Sequence, residues 1–455
     1  MKGGDEAGSN RSLTKTRRKF MVKTFSSAME GRYMKRWGII VTVMMIAAAF
    51  ALGHAMNAEA VEEMKFFHDN PEWQQIFEGL GELSAEEVEI KAVPTEFDTQ
   101  VYKSRIKVDL TTKRAPAVFK WWFGYRAQEL LAADLVADLS DVWDEVEENY
   151  PAGIREALTQ DGMAYGFPLH VSYWVWYYNK PLYEAHGMEL PTTWEEFMEH
   201  LEYFKEQGVS GIGNTIGQSR WTSFIVFQEL LYRIDAEFYT QLMNGEAHWT
   251  DAKAVQAMEL WKEMLDKGFF APMDATYVND LPRMMKDGTL AFAPFGDWYG
   301  GILQQQGLVS GEDFGVFIPP AITPAGEHAI ILEISPLMTG KNSPEVDLAK
   351  AWFKWYSTSE EAAKYHWDTL KANPTTHVPM DVIAQDDPAR VEELQLLDAY
   401  PQKLIRLWEA TPVEIVEQAV DAFNTMLVEP DRYMELLESI EAMAKDTWPN
   451  YGVEY

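Results

Sequence analysis

The stretch that decides the fold is the aromatic run Tyr173-Trp174-Val175-Trp176-Tyr177-Tyr178, which leads through Asn179-Lys180-Pro181 to Pro191-Thr192-Thr193-Trp194-Glu195-Glu196-Phe197. The run is aromatic on both of its faces, which is typical of a strand covered on both sides. In the last segment Thr193 is followed by Glu196 at the spacing of a capping box, which begins a helix. A buried strand followed by a capped helix indicates an α/β protein.

The same alternation continues on both sides of this stretch. Further helices are predicted to begin at Asp251, at Ser343-Pro344-Glu345 and at Thr411-Pro412, because each places a cap or a first-turn proline before an apolar stripe. Mostly parallel sheets are expected, and the length of 455 residues predicts two lobes. Other strands are predicted at 88–93, 117–119, 290–295, 314–318, 329–332 and 335–338.

The composition excludes several classes of function. The chain has no cysteine, which excludes disulfides, thiolate metal sites and thiol catalysis. The net charge of −32 would repel a phosphate backbone, so we expect no nucleic-acid partner. The sequence contains no His-Glu-x-x-His, Walker or Gly-x-Ser-x-Gly motif, and its nine histidines have no ligand spacing. We therefore expect no metal, no cofactor and no catalysis.

Residues 1–60 are interpreted as an extension followed by an export signal. Lys35 and Arg36 precede an uncharged, strongly apolar run over 37–52, and Ala58-Glu59-Ala60 follows as an A-x-A cleavage site. The run is shorter than the ~20 residues of a membrane-spanning helix, although a membrane anchor stays an alternative. Cleavage after Ala60 predicts an exported protein, and the lack of a cysteine for a lipoprotein anchor favours a free periplasmic one.

Tryptophan is concentrated after predicted strand ends. Trp121 and Trp122 follow one strand, Trp221 follows a glycine-rich loop, and Trp298 follows another strand beside Asp297. In open α/β sheets, ligands bind beyond the carboxyl ends of the strands. Indole rings pack on the C–H faces of sugars, and carboxylates accept hydrogen bonds from sugar hydroxyls, so this combination predicts a carbohydrate site.

Three acids are further candidates for that site. Glu333 interrupts an apolar run at a predicted lobe crossing, where a carboxylate should be either solvated or used. Asp69 and Glu96 follow the first two predicted strands. Each is also explained as an ordinary surface acid, because acids are abundant in this chain.

These motifs resemble the bacterial extracellular solute-binding proteins of family 1, the maltose-binding type that serves sugar ABC importers. The resemblance covers roughly residues 61–445. It rests on Tyr165-Gly166-Phe167-Pro168, on Tyr177 to Tyr183 and on Pro191 to Phe197, which are similar to the family's crossover strand, its Tyr-Asn-Lys turn and its helix start.

The resemblance implies a two-lobe periplasmic-binding-protein fold of type II, the Venus flytrap, with several crossovers. Residues 61–168 and 330–373 would form the N-lobe, and residues 169–329 and 374–455 the C-lobe. Ser172 and Tyr173 would contact ligand from the crossover strand. The implied function is to capture a sugar or sugar derivative between the lobes and to deliver it, as a monomer, to the permease subunits of an ABC importer.

Two other functions stay open. A cage of aromatic rings with acids would also suit a cationic osmolyte or a polyamine in the same fold. The third candidate is a secreted glycosidase, for which no catalytic acid pair can be distinguished among so many carboxylates.

Overall fold

The computed structural model of the chain describes residues 61–150, 153–217, 219–370 and 380–455. Two predictions lie outside the described residues: the export signal with its cleavage after Ala60, and the lobe boundary at 373/374. Residues Val61–Tyr455 cluster as one compact unit.

Two long strands and a set of shorter ones make up the β-structure of the described residues. The strands are β1 (Glu62–His68), β2 (Ile90–Glu96), β3 (Val118–Lys120), β4 (Thr159–Gln160), β5 (Met163–Ala164), β6 (Phe167–Asn179), β7 (Ser210–Ile212), β8 (Leu290–Gly296), β9 (Phe314–Phe317), β10 (Ala329–Met338) and β11 (Gln402–Ile405).

The long strands β6 and β10 connect two regions of the main sheet. The strand order is β2-β1-β3-β10-β6-β8-β7, with β11 beside β10 and β9 beside β6. The first half of β6 pairs with β10, and its second half, beginning at Trp174, pairs with β8 and β9. Likewise β10 pairs with β11 at its start and with β3 at its end. Both strands therefore run from one region into the other.

The sheet is mixed, whereas mostly parallel pairing was predicted. Parallel pairs join β1 to β2 and β3, β7 to β8, and β10 to β11. The pairs that β6 makes with β8, β9 and β10 are antiparallel, as is the pair of β10 with β3. The reason is the crossing itself, because a strand that leaves a region and a strand that returns to it run in opposite directions where they meet.

Helices cover the sheet over most of the described chain. They are α1 (Gln74–Val88), α2 (Thr99–Asp109), α3 (Tyr125–Ala132), α4 (Ser140–Val146), α5 (Ile154–Ala157), α6 (Lys180–His186), α7 (Trp194–Glu206), α8 (Phe224–Ile234), α9 (Ala236–Met243), α10 (Ala252–Asp266), α11 (Asp280–Lys286), α12 (Tyr299–Gln305), α13 (Val346–Thr358), α14 (Glu360–Leu370), α15 (Met380–Asp386), α16 (Pro388–Leu397), α17 (Leu407–Ala410), α18 (Val413–Met426) and α19 (Tyr433–Thr447). Short 3-10 helices include Pro71–Trp73 and Arg220–Ser223.

Local signals in the sequence mark several of these ends. The predicted capping box is present at α7, where Thr193 accepts a hydrogen bond from the Glu196 backbone and the Glu196 carboxylate accepts one from the Thr193 backbone. The strands predicted at 329–332 and 335–338 are one continuous strand, β10, with a register shift between Ser335 and Pro336. The shift accommodates the missing N–H of Pro336 inside the ladder.

Most of the tryptophan serves the core. Ten indole rings of the described residues are buried without bordering the cleft described below; they are Trp121, Trp143, Trp174, Trp176, Trp249, Trp261, Trp352, Trp355, Trp367 and Trp448. The high aromatic content is therefore chiefly a packing feature.

Candidate functional site

A cleft of about 430 Å³ lies beside the crossing strands β6 and β10. This volume is within the ~300–1,000 Å³ typical of small-molecule sites. Aromatic side chains line part of it, namely Trp73, Trp122, Trp221, Tyr277, Trp298 and Trp408. The charged and larger polar side chains that line it are Asp69, Asn70, Thr99, Gln100, Lys103, Lys120, His170, Arg220, Gln305, Glu333, Arg406 and Glu417.

One side of the cleft is an aromatic wall formed by Trp221, Tyr277 and Trp298. Their rings are arranged edge-on, with centroid distances of 6.3 Å between the two indoles, 5.9 Å from Trp221 to Tyr277 and 6.3 Å from Tyr277 to Trp298. Trp174 supports both indoles from the core at 6.3 and 6.5 Å. Within the described ranges no lysine or arginine lies over the rings of Trp221 and Trp298. The wall therefore offers apolar aromatic surface.

A second set of lining residues forms an ionic wall, in which each cation has a carboxylate partner. Lys120 Nζ lies 3.1 Å from Asp69 Oδ1, and both side chains are buried. Lys103 Nζ lies 3.4 Å from Glu417 Oε1, and burial together with the nearby Arg126 charge lowers the pKa of Lys103. The wall is completed by Glu333 and Arg406, whose side chains are 2.8 Å apart. The ionic wall thus consists of Asp69, Lys103, Lys120, Glu333, Arg406 and Glu417.

The rings of Trp122 and Trp408 already carry cations of the protein. Lys103 Nζ is 5.5 Å from the centroid of Trp122 and 5.1 Å from that of Trp408. The guanidinium of Arg126 lies 3.9 Å from the Trp408 centroid. These cation–π contacts hold the ammonium and guanidinium groups in place, so the two rings belong functionally to the ionic wall.

A triad of charges anchors the ionic wall to the sheet. Arg406 precedes α17 and pairs with Glu409 in that helix as well as with Glu333 in β10. Trp174 Nε1 donates to Glu333 Oε2 at 3.1 Å. Burial disfavours the charge of Arg406, but Glu333 and Glu409 outweigh it and raise the pKa of the guanidinium. The carboxylate of Glu333 is therefore held at a fixed orientation at the edge of the cleft.

His170 lies on β6 at the cleft and is almost fully buried. Burial, assisted by the charges of Lys120 and Arg406, lowers the pKa of this imidazole to about 3. The ring is therefore neutral at physiological pH. Its edge contacts Trp73 at a centroid distance of 5.3 Å.

Five of the ten predicted site residues line the cleft. They are Asp69, Trp122, Trp221, Trp298 and Glu333. The signals that selected them were strand ends, the glycine-rich loop and, for Glu333, an acid within an apolar run at a predicted lobe crossing. The structure brings them together from the segments that follow β1, β3 and β8, from the 3-10 helix Arg220–Ser223 and from β10.

Trp121 and Glu96 were also predicted for the site but do not line the cleft. Trp121 is buried in the core, where its Nε1 donates to the Arg126 carbonyl at 2.9 Å. Since neighbouring residues after a strand point to opposite sides, only Trp122 turns to the cleft. Glu96 is exposed at the end of β2, the outermost strand of the sheet, and is absent from the cleft lining.

Asp297, Ser172 and Tyr173 also lie outside the cleft lining. Asp297 is fully buried and pairs with Arg390 at 2.9 Å. Ser172 is buried beside it, and the Tyr173 backbone N–H donates to Asp297 Oδ2 at 3.3 Å. The Asp297 carboxylate is thus used inside the protein, behind Trp298, instead of facing a ligand.

Sequence reasoning missed all four cations of the cleft lining and three of its six aromatic residues, namely Lys103, Lys120, Arg220, Arg406, Trp73, Tyr277 and Trp408. Lys120 and Arg220 are direct neighbours of predicted tryptophans, so their position carried a usable signal. Arg406 and Trp408 come from a segment after β11 that no motif marked. Their presence in the cleft depends on the long-range pairing of β11 with β10.

The described residues contain no cluster of His, Cys, Asp or Glu suited to hold a metal ion. Over the same residues no helix has the length and apolarity that crossing a bilayer requires. Chemically, the cleft combines aromatic surface with donors and acceptors that are already oriented by one another, an arrangement suited to a small polyhydroxylated molecule.

Comparison with known proteins identifies relatives along most of the chain. An uncharacterized ABC transporter extracellular-binding protein of Pyrococcus horikoshii is 22% identical over 415 residues, which is 87% of this chain and 90% of the relative. A "probable sugar-binding periplasmic protein" of Rhizobium meliloti is 28% identical over 179 residues, which is 38% of this chain and 41% of the relative.

The fold is shared with solved structures, among them the two that follow. A chitin oligosaccharide binding protein superimposes with a TM-score of 0.75 at 18% identity, covering 86% of this chain and 99% of that protein. The bacterial solute receptor AcbH, described as having an exclusive preference for β-D-galactopyranose, superimposes with a TM-score of 0.72 at 18% identity, covering 85% and 99%. The predicted two-lobe periplasmic-binding-protein fold is thereby confirmed.

The family model for bacterial extracellular solute-binding proteins matches residues 68–363, from the end of β1 into α14. This range contains β6, β8 and β10 and most of the residues around the cleft. The match confirms the resemblance predicted from the sequence, and the chain belongs to the bacterial extracellular solute-binding protein family.

Proposed function

We propose that this chain is the sugar-binding component of an ABC importer. It captures an uncharged sugar or sugar derivative in the cleft and delivers it to the membrane permease, acting as a monomer without cofactor or catalysis. The names of the Pyrococcus and Rhizobium relatives support the transporter and sugar assignments.

The observation that carries the proposal is the contrast between the two walls of the cleft. A pyranose has C–H faces that pack on indole rings and a rim of hydroxyls that both donate and accept hydrogen bonds. The aromatic wall suits the faces, and the paired carboxylates and cations of the ionic wall suit the rim. Trp221 and Trp298 would contact the faces, and Asp69 and Glu333 would accept from hydroxyls. Trp122 would border the ligand together with the cations that lie over its ring.

Closure between two lobes is the proposed mechanism of capture. We assign residues 61–168 and 330–373 to one lobe and residues 169–329 and 374–455 to the other. Asp69 and Trp122 would then approach the ligand from the first lobe, and Trp221 and Trp298 from the second. Ligand contacts made by both lobes favour the closed form, which the permease would recognise.

Export to the periplasm is part of the proposal. Its support is the basic flank and apolar run before Ala60 and the extracellular character of the family. We expect an affinity on the order of 1 μM, or about −8 kcal/mol, which permits both scavenging and release.

No specific observation favours either alternative function. A cationic osmolyte or polyamine would find open ring faces on the aromatic wall, but the three carboxylates that line the cleft are already paired with lysine or arginine. The rings of Trp122 and Trp408 already carry Lys103 and Arg126. A glycosidase needs a carboxylic acid able to donate its proton, whereas Asp69 and Glu333 are paired with Lys120 and Arg406.

Thermal melting with added compounds tests the proposal. The probes are D-galactose, xylobiose, maltose, di-N-acetylchitobiose and raffinose, with glycine betaine and spermidine as the competing class. A bound sugar present at 100 times its Kd adds about 2.7 kcal/mol to the free energy of unfolding and raises Tm. A matched Trp298→Ala variant should lose the shift. A rise in Tm with betaine or spermidine alone, or turnover of any sugar, would refute the proposed function.

A further inference from the structure

The floor of the cleft contains a histidine that no family pattern or sequence motif selected. His170 lies on the crossing strand β6, opposite Ser335 of β10. Both residues line the cleft, and the imidazole is 1% exposed. The strand pairing fixes the backbone on both sides, so the ring is held on a rigid element.

Neither ring nitrogen of His170 has a hydrogen-bond partner among the described residues. The two other histidines that are almost fully buried differ, because His68 Nε2 contacts Gln74 Oε1 at 2.8 Å and His366 Nδ1 contacts the Tyr356 hydroxyl at 3.2 Å. A buried polar atom left without a partner is costly. Since the described residues supply none and His170 lines the cleft, a hydroxyl bound in the cleft would supply the missing partner.

The surroundings of His170 define which groups can be those partners. Burial first, and then the positive charges of Lys120, Arg406 and Arg390, oppose protonation of the ring. A neutral imidazole has one N–H donor and one bare nitrogen acceptor. A hydroxyl both accepts and donates, a carboxylate only accepts, an ammonium only donates, and a trimethylammonium does neither.

We propose that His170 is a specificity-determining residue that recognises a hydroxyl of the bound sugar and selects uncharged polyols over carboxylate-bearing and cationic compounds. This inference rests on the proposed function and extends it to the class of sugar. It assigns to His170 the hydrogen bonds that sequence analysis expected from its neighbours Ser172 and Tyr173.

The first experiment uses the unmodified protein. Long-range ¹⁵N NMR of ¹⁵N-histidine-labelled protein reports the tautomer and hydrogen bonding of each imidazole. D-Galactose, xylobiose, maltose, di-N-acetylchitobiose and raffinose are added in turn, and D-glucuronate serves as the acidic comparison. With each sugar that binds, we expect the two ¹⁵N shifts of His170 to move while those of the exposed His328 stay fixed. Unchanged His170 shifts at saturation would overturn the inference.

The second experiment uses variants and calorimetric titration with the same compounds. His170→Phe keeps a ring but loses both polar atoms, so we expect at least a tenfold rise in Kd. His170→Asn keeps one donor and one acceptor and should recover part of the affinity. His328→Phe is the control and should bind like the parent protein. Equal affinity of the Phe and parent proteins would overturn the inference, as would an Asn variant no better than Phe.

The outcomes separate this inference from the function on which it rests. If a sugar binds but neither the NMR shifts nor the variants involve His170, the sugar-binding function stands and the inference fails. If D-glucuronate binds more tightly than every neutral sugar, the preference for uncharged polyols is refuted although sugar binding stands. If only glycine betaine or spermidine binds, both fail.

Discussion

Two buried arginines each pair with two acids in a similar arrangement, yet only one of the arginines borders the cleft. Arg390 in α16 pairs with Glu393 one turn later at 2.7 Å and with Asp297, just after β8, at 2.9 Å. Arg406 pairs with Glu409 one turn later and with Glu333 in β10 at 2.8 Å. We call these the sealed triad and the cleft triad.

The two triads differ in what lies in front of them. The three side chains of the sealed triad are at most 1% exposed, whereas Arg406 and Glu333 of the cleft triad are 7% and 9% exposed. The sealed triad ties α16 to the end of β8, because Arg390 also donates to the Asp297 carbonyl at 2.6 Å. An arginine paired with two acids therefore joins α16 to β8 in the sealed triad, whereas in the cleft triad it orients the Glu333 carboxylate at the cleft.

The largest expected effect comes from breaking the sealed triad. Arg390→Met removes the one cation and leaves two acids in the interior, which typically costs about 3–5 kcal/mol. Urea unfolding of both proteins at pH 7 measures the difference. Any sugar affinity of the folded variant should stay within about threefold of the parent value. A loss below ~1 kcal/mol would mean that the triad contributes no more than a surface pair.

Matched amide substitutions in the two triads should separate binding from stability. Glu333→Gln weakens an acceptor at the cleft, so we expect about a tenfold rise in Kd for whichever sugar raises Tm, equivalent to ~1.4 kcal/mol. Asp297→Asn lies behind the cleft and should lower the free energy of unfolding with little change in Kd. Calorimetric titration and urea unfolding of both variants provide the measurements. A larger Kd change in Asp297→Asn than in Glu333→Gln would contradict the distinction between the triads.

This comparison also explains how far sequence reasoning reached. Asp297 and Glu333 were predicted on similar grounds, an acid near the end or crossing of a strand. Their arginine partners lie 93 and 73 positions further along the chain, beyond any local pattern. Which acid faced the cleft was therefore decided by tertiary pairing that no spacing in the sequence encodes.

The fold was more accessible to prediction than the site. The aromatic run of β6 and the capping box of α7 are local features, and each led to the correct element. The crossing of β6 and β10, by contrast, made the centre of the sheet antiparallel and was not visible in the periodicity of either strand. The cleft depends on that crossing, which is why Trp122 and Trp298 could be selected but His170 and Arg406 could not.

A smaller effect is expected from the pH dependence of the sealed triad. Burial, and then the charge of Asp297, raises the pKa of Glu393 well above its usual range. Between the unfolded and folded pKa values the native protein holds a proton that the unfolded chain releases, so stability contributed by this group falls as pH rises through that window. The slope is bounded by about 1.4 kcal/mol per pH unit for one proton. Glu393→Gln replaces this titrating carboxyl by an amide, which removes its contribution to the pH dependence.

Urea unfolding at several pH values between 5 and 8 provides the test of this slope. The free energy of unfolding of Glu393→Gln should improve relative to the parent protein as pH increases. Glu435→Gln is the control, because that acid is exposed and pairs with Arg432 at the surface. Parallel pH profiles for the parent and Glu393→Gln proteins would refute the raised pKa.

The smallest effect on stability is expected from removing Arg432, an arginine placed between two acids at the protein surface. Arg432 pairs with Glu429 at 2.8 Å and with Glu435 at 2.7 Å, but its side chain is 43% exposed. Solvent screens such pairs, and ordering the long side chains offsets much of the attraction, so Arg432→Met should change the free energy of unfolding by less than about 1 kcal/mol. The free energies of unfolding of Arg432→Met and Arg390→Met are compared in low and high salt. Because only the surface pairs should respond strongly to salt, the comparison isolates the contribution of burial. Equal losses in the two variants would mean that the geometry of an arginine between two acids, and not its removal from water, determines its contribution.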